Sequence, residues 1–422
     1  MKFFNIDEAL KLPQTFNVLM NALDELYAKR QEEFQKSNPL KEIYQTVTLN
    51  QFQKSFGSSI GFKQAFEHTV DYAAYPGFSS GDGFKTTISY KPFNGKVVFT
   101  WQTLLEADYS SIKDTLSDYQ IAWQRQLVEF GMFALTAFFG GKVYDGVSKT
   151  YLKINSADTV DGDPMGDVKN PVFTNAHTVV KTEDMTAAQF NALKQSNKYF
   201  VNIKLDGSDP LAPAKLANAL YQIKVRMNKL FDDNGKRAGL RGRKKIVATE
   251  DAQLNAALRG ILAADDFSKE VGTPTLNQVK DGFNTYFTPY LDGNFDQAIP
   301  QFATGDDGMA HGMLILDDEY NRANHGPMMV ERVGFSMKAV KTDEPEGIKY
   351  LAKQAFDFFC PSWRGIAYVY IGNPADVYGD GGVAANAWAN PATFTEITPV
   401  VFAKAVQVVN TATNPVKTDE VE

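Results

Sequence analysis

An uninterrupted helical pattern is the feature that most constrains the fold of this 422-residue chain. Apolar residues recur at spacings of four and three from Ile112 to Phe138, and Gly140 and Gly141 follow directly. These spacings are typical of one helix face, and glycine commonly ends a helix. About thirty residues at 1.5 Å each give a helix of about 45 Å. Because a compact small domain does not need that length, we predict one long helix that spans the subunit, over residues 110–140.

The segment before this helix combines turn signals with many aromatic side chains. Twelve of the fifty residues from 52 to 101 are Phe, Tyr or Trp, which is 24%, compared with 13% in the whole chain. The pair Asn94-Gly95 lies between two strand-like runs and predicts a tight hairpin turn. Since a two-stranded ribbon has little interior of its own, we expect sister copies of the chain to cover this apolar surface. The alternative is that the hairpin folds back over the long helix of its own chain.

The rest of the chain mixes helices with short strands. Two further helices are predicted, with apolar faces from Leu216 to Leu230 and from Leu254 to Ile261, and the apolar run 246–248 lies between them. Strand signals dominate the last third, in residues 313–316, 330–340 and 363–371. This mixture predicts an α+β class with antiparallel strand pairing.

Charge is distributed unevenly. Lys plus Arg number 43 and Asp plus Glu number 50, so the net charge of −7 argues against a dedicated nucleic-acid binder with a basic surface. Six Lys or Arg residues nevertheless lie within residues 236–245. This cluster fits a solvated loop after a helix end, and an acidic partner on another subunit and nucleic acid stay open as alternatives.

Catalytic and metal-binding motifs are weak in this sequence. The pattern GxSxG occurs around Ser59 and Ser79, but a nucleophile elbow needs a buried strand before the serine and a helix after it. The four histidines lack the spacing of metal ligands, and the acidic loop 158–167 lacks the closing glutamate of a calcium loop. Cys360 is typical of a small buried apolar residue. We therefore predict no catalytic residue, no metal and no cofactor.

The termini and apolar windows bear on location. The first residues lack the pattern of a secretory signal, and the most apolar window, residues 130–139, is half the length that a bilayer requires. We expect a protein made in the cytoplasm.

The order of elements resembles the major capsid proteins of tailed bacteriophages of the Hong Kong 97 type. An arm, an aromatic hairpin loop, a long helix, a mixed sheet, a helix, a strand, a helix and final antiparallel strands follow one another over most of residues 1–400. The stretch from Asp206 to Gly235, followed by Lys245 to Leu262, looks like the start of the family's axial domain. Residues 313–370 are similar to the strands that return to its peripheral domain.

The resemblance implies a division of the chain into five parts. Residues 1–45 would be the N-terminal arm, 46–105 the extended loop, 106–210 the peripheral domain with its spine helix, 211–360 the axial domain, and 361–422 the return strands with the C-terminal tail.

The resemblance also implies a function and partners. The chain would be a structural protein of the virion, not an enzyme, whose pentamers and hexamers form an icosahedral shell around double-stranded DNA without reading its sequence. Residues 1–45 are too short for the built-in scaffold of some family members, which implies a separate scaffolding protein. The predicted assembly-interface residues are Phe3, Phe4, Leu10, Phe78, Phe84, Tyr90, Phe93, Phe99, Trp101, Arg241 and Arg243. The alternatives are an encapsulin-like compartment shell, a tail or baseplate protein, and a serine hydrolase that uses Ser59 or Ser79.

Overall fold

A long helix packed on a four-stranded sheet is the centre of this architecture, with a five-stranded sheet joined to the same core. The computed structural model describes residues 28–51, 53–62, 80–100, 109–138, 143–145, 150–152, 172–173, 186–196, 202–205, 209, 211–232, 237–264, 279–291, 302, 312–343 and 346–371.

The bounds of the elements are as follows. In chain order the strands are β1 (Gln45–Thr48), β2 (Gln53–Phe62), β3 (Ser80–Ser89), β4 (Lys91–Thr100), β5 (Val143–Asp145), β6 (Thr150–Leu152), β7 (Asn202–Leu205), β8 (Lys244–Ala248), β9 (Phe283–Phe287), β10 (Gly312–Asp317), β11 (Met328–Asp343), β12 (Glu346–Phe359) and β13 (Ile366–Ile371). The helices are α1 (Tyr109–Phe138), α2 (Ala187–Ser196), α3 (Pro213–Lys229), α4 (Ala252–Ala263) and α5 (Asp318–Ala323). Residues 28–37 are also helical. The α+β class predicted from the sequence is confirmed.

The helix α1 confirms the long helix predicted from the apolar spacing. It is 30 residues long, and the apolar residues of its pattern are buried at both ends, from Ile112 and Leu116 to Leu135 and Phe138. Among the residues that the structure describes, no helix is long and apolar enough to cross a membrane.

Two sheets divide the strands. The four-stranded sheet has the order β1-β11-β12-β4, and the five-stranded sheet has the order β7-β13-β10-β8-β9. The predicted antiparallel pairing is present between β11, β12 and β4 and between β8, β10 and β13. Three other pairs are parallel, namely β1 with β11, β7 with β13, and β8 with β9.

The last strands divide between the two sheets, and the five-part division of the chain stays a prediction. Strands β11 and β12 fall within the range 211–360 that was assigned to the axial domain, yet they pair with β4 in the four-stranded sheet. Strands β10 and β13, expected to return to the peripheral domain, lie inside the five-stranded sheet. Every residue of β10 and of β13 is buried, which is typical of a central strand covered on both faces.

The predicted hairpin turn at Asn94-Gly95 is wrong. Both residues lie in the middle of the continuous strand β4, where they pair with Lys353 and Ala352 of β12. A Cβ atom at position 95 would collide with the Tyr119 hydroxyl of α1. Glycine is therefore present at this position because the long helix approaches the sheet closely, not because the chain turns.

A chain of aromatic rings runs along α1 and connects the two sheets. Consecutive ring centroids lie 4.8 to 6.4 Å apart, within the range that favours edge-to-face and offset contacts. In order, the rings belong to Phe93, Phe130, Phe358, Tyr44, Phe138, Phe173 and Tyr368. The first ring lies in β4 and the last in β13, so one apolar seam fixes both sheets to the same helix.

Polar contacts fix the same helix to the sheet. The Trp123 Nε1 group of α1 donates a hydrogen bond to Gln354 Oε1 at 2.8 Å. The Gln354 side chain in turn donates from Nε2 to Glu331 Oε1 at 3.0 Å. Because buried polar groups need partners, this relay connects α1 to β12 and then to β11.

The turn before β1 packs on α1 at Gly131. The Tyr44 hydroxyl donates to the Gly131 carbonyl oxygen at 2.8 Å, and burial raises the pKa of Tyr44 well above its usual value. A Cβ atom at position 131 would collide with the side chains of Leu40 and Phe358. The absence of a side chain therefore lets the residues before β1 contact the C-terminal third of the long helix.

We predict opposite effects for alanine at two helical glycines. Gly131→Ala should destabilise the protein by about 1–3 kcal/mol, because overpacking of a dense core outweighs alanine's better helix propensity. The matched control is Gly260→Ala in α4, where a Cβ atom would meet no atom within 4 Å, and it should leave stability unchanged or raise it by up to about 1 kcal/mol. Urea unfolding of both variants measures the difference. Equal effects of the two substitutions would contradict this packing.

Candidate assembly surface

The strands β2 and β3 form a ribbon that belongs to a two-stranded sheet of its own. Each strand has ten residues, and at about 3.3 Å per residue the ribbon is about 33 Å long. Pairing begins at Gln53 with Ser89 and ends at Phe62 with Ser80. In the described part of the chain no third strand pairs with it, so within that part both outer edges lack a strand partner. Such edges are templates for pairing with another chain.

Two aromatic residues that were predicted to need cover from sister copies pack against their own subunit, Phe99 fully and Phe93 in part. Phe93 stacks on Phe356 with 4.5 Å between ring centroids and contacts Phe130 of α1 edge-on at 5.6 Å. Phe99 is buried beside Ile112 and Leu116 of α1. Packing against the chain's own long helix, the alternative left open by the sequence, therefore describes these contacts of β4, and the assignment of Phe93 and Phe99 to an interface stays a prediction.

The remaining predicted aromatic residues are placed as follows. Phe84 lies in β3, and Tyr90 is the half-buried residue between β3 and β4. Phe3, Phe4, Leu10, Phe78 and Trp101 lie outside the described residues. Their assignment to an interface stays a prediction.

The basic segment 236–245 divides into buried and exposed parts. Lys244 is fully buried at the start of β8, where its Nζ atom donates to Asp317 and, at 2.8 Å, to the Leu240 carbonyl oxygen. Burial lowers the pKa of Lys244, although its hydrogen bond to Asp317 acts in the opposite direction. Asp317 also caps α5 by accepting from the Tyr320 amide at 3.0 Å. The solvated loop expected from the sequence is therefore wrong for Lys244, whose partner is inside the subunit.

Lys245 connects three segments. Its Nζ atom lies 3.0 Å from Glu42 Oε2 and also pairs with Asp318 of α5. These carboxylates raise the pKa of Lys245 despite the opposing effect of its partial burial. The residue thus joins the turn before β1 to β8 and to the start of α5.

Arg241 and Arg243 are exposed, as is Arg237 of the same basic segment. Arg243 donates from Nε to the Asp281 carbonyl oxygen at 3.0 Å. It also lines a groove of about 540 Å³ together with Asn284, Asp318, Glu319, Arg322 and Ala323. Because this groove carries both signs of charge at the surface, it suits a polar contact between copies of the chain, and the interface assignment of the two arginines stays a prediction.

The serine and metal motifs do not form reactive sites in the described residues. Ser59 lies in β2 and pairs with Asp82 of β3, so no strand-to-helix elbow is present there. Ser79 and the acidic loop 158–167 lie outside the described residues. Burial raises the pKa of the Cys360 thiol, which disfavours the reactive thiolate. Within the described residues, no cluster of three or more His, Cys, Asp or Glu side chains could hold a metal ion.

Comparison with known proteins gives matches among solved structures alone. No protein-family model matches the sequence, and no curated protein matches it. The chain is similar to the mature capsid of bacteriophage PhiM1, with 10% identity and a TM-score of 0.42 over 78% of this chain and 85% of the other. It is similar to a structure of Mycobacterium phage Patience, with 11% identity and a TM-score of 0.41 over 83% and 88%. It is also similar to a virus-like particle from Pyrococcus furiosus, with 10% identity and a TM-score of 0.36 over 78% and 91%. Phage capsid structures are thus among the structures to which the chain is similar.

The buried pair of Lys244 and Asp317 gives a prediction that depends on pH. Asp317→Asn keeps an amide oxygen that can cap α5 but leaves the Lys244 charge unpaired, so we expect a loss of about 3–5 kcal/mol at pH 7. Without Asp317 the folded-state pKa of Lys244 falls further below its value in the unfolded chain. In the window between these two pKa values the unfolded state binds more protons, and stability rises with pH. The difference in free energy of unfolding between wild type and Asp317→Asn should therefore become smaller from pH 7 to pH 10.

The measurement is the urea midpoint of variant and wild type at several pH values. Asp281→Asn is the matched control, because Asp281 is largely exposed and its Oδ1 atom lies 3.8 Å from Nη2 of Arg243. Exposed pairs contribute little, so this control should change stability far less. A deficit for Asp317→Asn that does not vary with pH would contradict the assignment.

Proposed function

We propose that the chain is the major capsid protein of a tailed bacteriophage of the Hong Kong 97 type. Copies assemble through pentamers and hexamers into an icosahedral shell around double-stranded DNA. The proposal depends above all on the ribbon of β2 and β3, a long two-stranded sheet that precedes the long helix and to which no other described strand is paired. A ribbon of this kind gains stability when it pairs with or packs on another chain.

The rest of the fold supports a structural role. The helix α1 and both sheets share one continuous core, which gives each copy a rigid body. The ribbon supplies an extended element that can contact neighbours, and the arm (residues 1–45) is assigned a second such contact. Interfaces of obligate assemblies bury about 2,000 Å² or more, and overlapping extended elements provide such an area without a large flat face. No catalytic step is needed for this function.

Several finer assignments belong to the proposal. The interface residues are Phe3, Phe4 and Leu10 of the arm, Phe78, Phe84, Tyr90 and Trp101 of the extended loop, and Arg241 and Arg243. A separate scaffolding protein directs the assembly. The chain is divided into the N-terminal arm 1–45, the extended loop 46–105, the peripheral domain 106–210, the axial domain 211–360, and the return strands with the C-terminal tail 361–422.

Removal of the ribbon tests this function. Because Gln53 and Ser89 pair at its base, their Cα atoms are about 5 Å apart, and a short Gly-Ser linker can replace residues 53–89. The shortened chain should keep the circular dichroism spectrum expected for its helices and sheets and should fail to form closed shells. Electron microscopy of both chains, each expressed with the scaffolding protein, gives the result. Closed shells from the shortened chain, or a wild-type chain that stays a 46.8 kDa monomer, would contradict the proposal.

The content of wild-type particles separates the shell of a phage from a compartment. Particles purified from infected cells should contain double-stranded DNA that resists added nuclease. Particles filled with a cargo enzyme instead would indicate an encapsulin-like compartment, and open rings or tubes would indicate a tail or baseplate protein.

A further inference from the structure

The four-stranded sheet has a lysine-rich surface on the side away from α1. Three rows of directly paired residues define it, and residues opposite each other in a sheet share a face. We call this surface the lysine face. Its rows are Asn94, Lys353 and Ser336, then Lys96, Leu351 and Lys338, then Val98, Lys349 and Val340.

The residues that alternate with the lysine face along each strand show on which side of the sheet this face lies. Phe99 and Tyr350, which flank Val98 and Lys349 in sequence, are buried with Ile112 and Leu116 of α1. Successive residues of a strand point to opposite sides of the sheet. The lysine face is therefore the side of the sheet that α1 does not cover.

The surface is both positively charged and partly apolar. Lys96, Lys338 and Lys353 are exposed, and Lys349 is half-buried. None of the nine residues is acidic, and within the described residues none of the four lysines forms an ion pair. Leu351 at the centre is 41% exposed and Val340 is 39% exposed. A patch of charge +4 on a chain of net charge −7 is a local feature that suits a polyanion.

The spacing of the lysines fits the scale of a nucleic-acid backbone. The four lysines surround Leu351, with Lys96 and Lys338 on the two neighbouring strands and Lys349 and Lys353 on its own strand. From strand spacing and rise, the Cα atoms are about 10 Å apart in the first pair and about 13 Å apart in the second. The grooves of B-DNA are about 6 and 12 Å wide, and flexible lysine side chains can reach phosphates on both sides of a groove.

We propose that the lysine face binds the phosphate backbone of double-stranded DNA, weakly and without reading its sequence. The choice of DNA among polyanions depends on the proposed function, since DNA is the polyanion that such a shell encloses. The ribbon of a second copy fits less well, because β2 and β3 carry Lys54, Lys85 and Asp82, a charge of 2 − 1 = +1. A basic ribbon has no charge complementarity to a basic sheet face.

The test is DNA binding by the unassembled full-length chain. Fluorescence anisotropy with a 40-base-pair duplex of random sequence is measured at several salt concentrations. Each neutralised phosphate contributes about 0.9 to the slope of log affinity against log salt, so four lysines account for about 3.6. Replacement of Lys96, Lys338, Lys349 and Lys353 by Gln should lower affinity about tenfold or more at low salt and should remove most of that slope.

The matched control carries the same charge change elsewhere. Replacement of Lys29, Lys36, Lys41 and Lys113 by Gln should leave affinity and slope close to wild type. Equal losses in the two variants, or no binding by the wild-type chain, would overturn the proposal. Binding of poly-glutamate but not of DNA would also overturn it and would indicate an acidic protein segment as the occupant.

The result of the DNA-binding test does not depend on whether the chain forms shells. Electron microscopy of the variant lacking the four lysines, expressed with the scaffolding protein, reports on assembly separately. Closed particles together with unchanged DNA affinity would reject the lysine face while the shell function stands. DNA binding by a chain that never forms particles would reject the shell function while the lysine face stands.

Discussion

The packing of aromatic rings along α1 is the interaction on which the rest of this structure depends. The helix has to lie close to β4 and β12 for Phe93, Phe130 and Phe358 to meet, and Gly95 and Gly131 lack side chains where a Cβ atom would block that approach. The same seam continues to Tyr368 in the five-stranded sheet. Because dense aromatic contacts tolerate little displacement, the two sheets keep fixed positions on one helix, as the proposed assembly of rigid copies requires.

Elements with a strong period could be predicted from sequence. The helix α1 follows from apolar residues at helical spacing, and α3, α4, β10 and β13 follow from clear apolar faces or runs. The Asn94-Gly95 pair led to a wrong prediction of a hairpin turn, because local sequence does not show which of two purposes a glycine serves. It permits a turn, and it also permits another element to approach closely. The deciding contact is with Tyr119, which becomes a neighbour only through tertiary packing.

The candidate surface was harder to predict than the fold. Aromatic content alone suggested that all of residues 52–101 need cover from other copies, yet β4 is covered by its own helix. Which aromatic residues are covered depends on how the strands pair. That pairing is set by contacts between β4 and β12, which lie about 250 residues apart in the chain. The alternation of Lys349, Leu351 and Lys353 is visible in the sequence. That these residues belong to a larger basic surface is seen only in the structure, where the strand register places Lys96 and Lys338 on either side of Leu351.

A single residue, Tyr90, separates β3 from β4. Because this covalent link is so short, a force on the ribbon acts directly on β4. When a neighbour pulls on the ribbon, tension passes through Tyr90 directly into β4. That strand is held to β12 by ten residue pairs, from Phe356 with Lys91 to Gly347 with Thr100. A load along the strand must shear these pairs together instead of peeling them one at a time, so in the proposed assembly the ten-pair ladder resists the stress between copies.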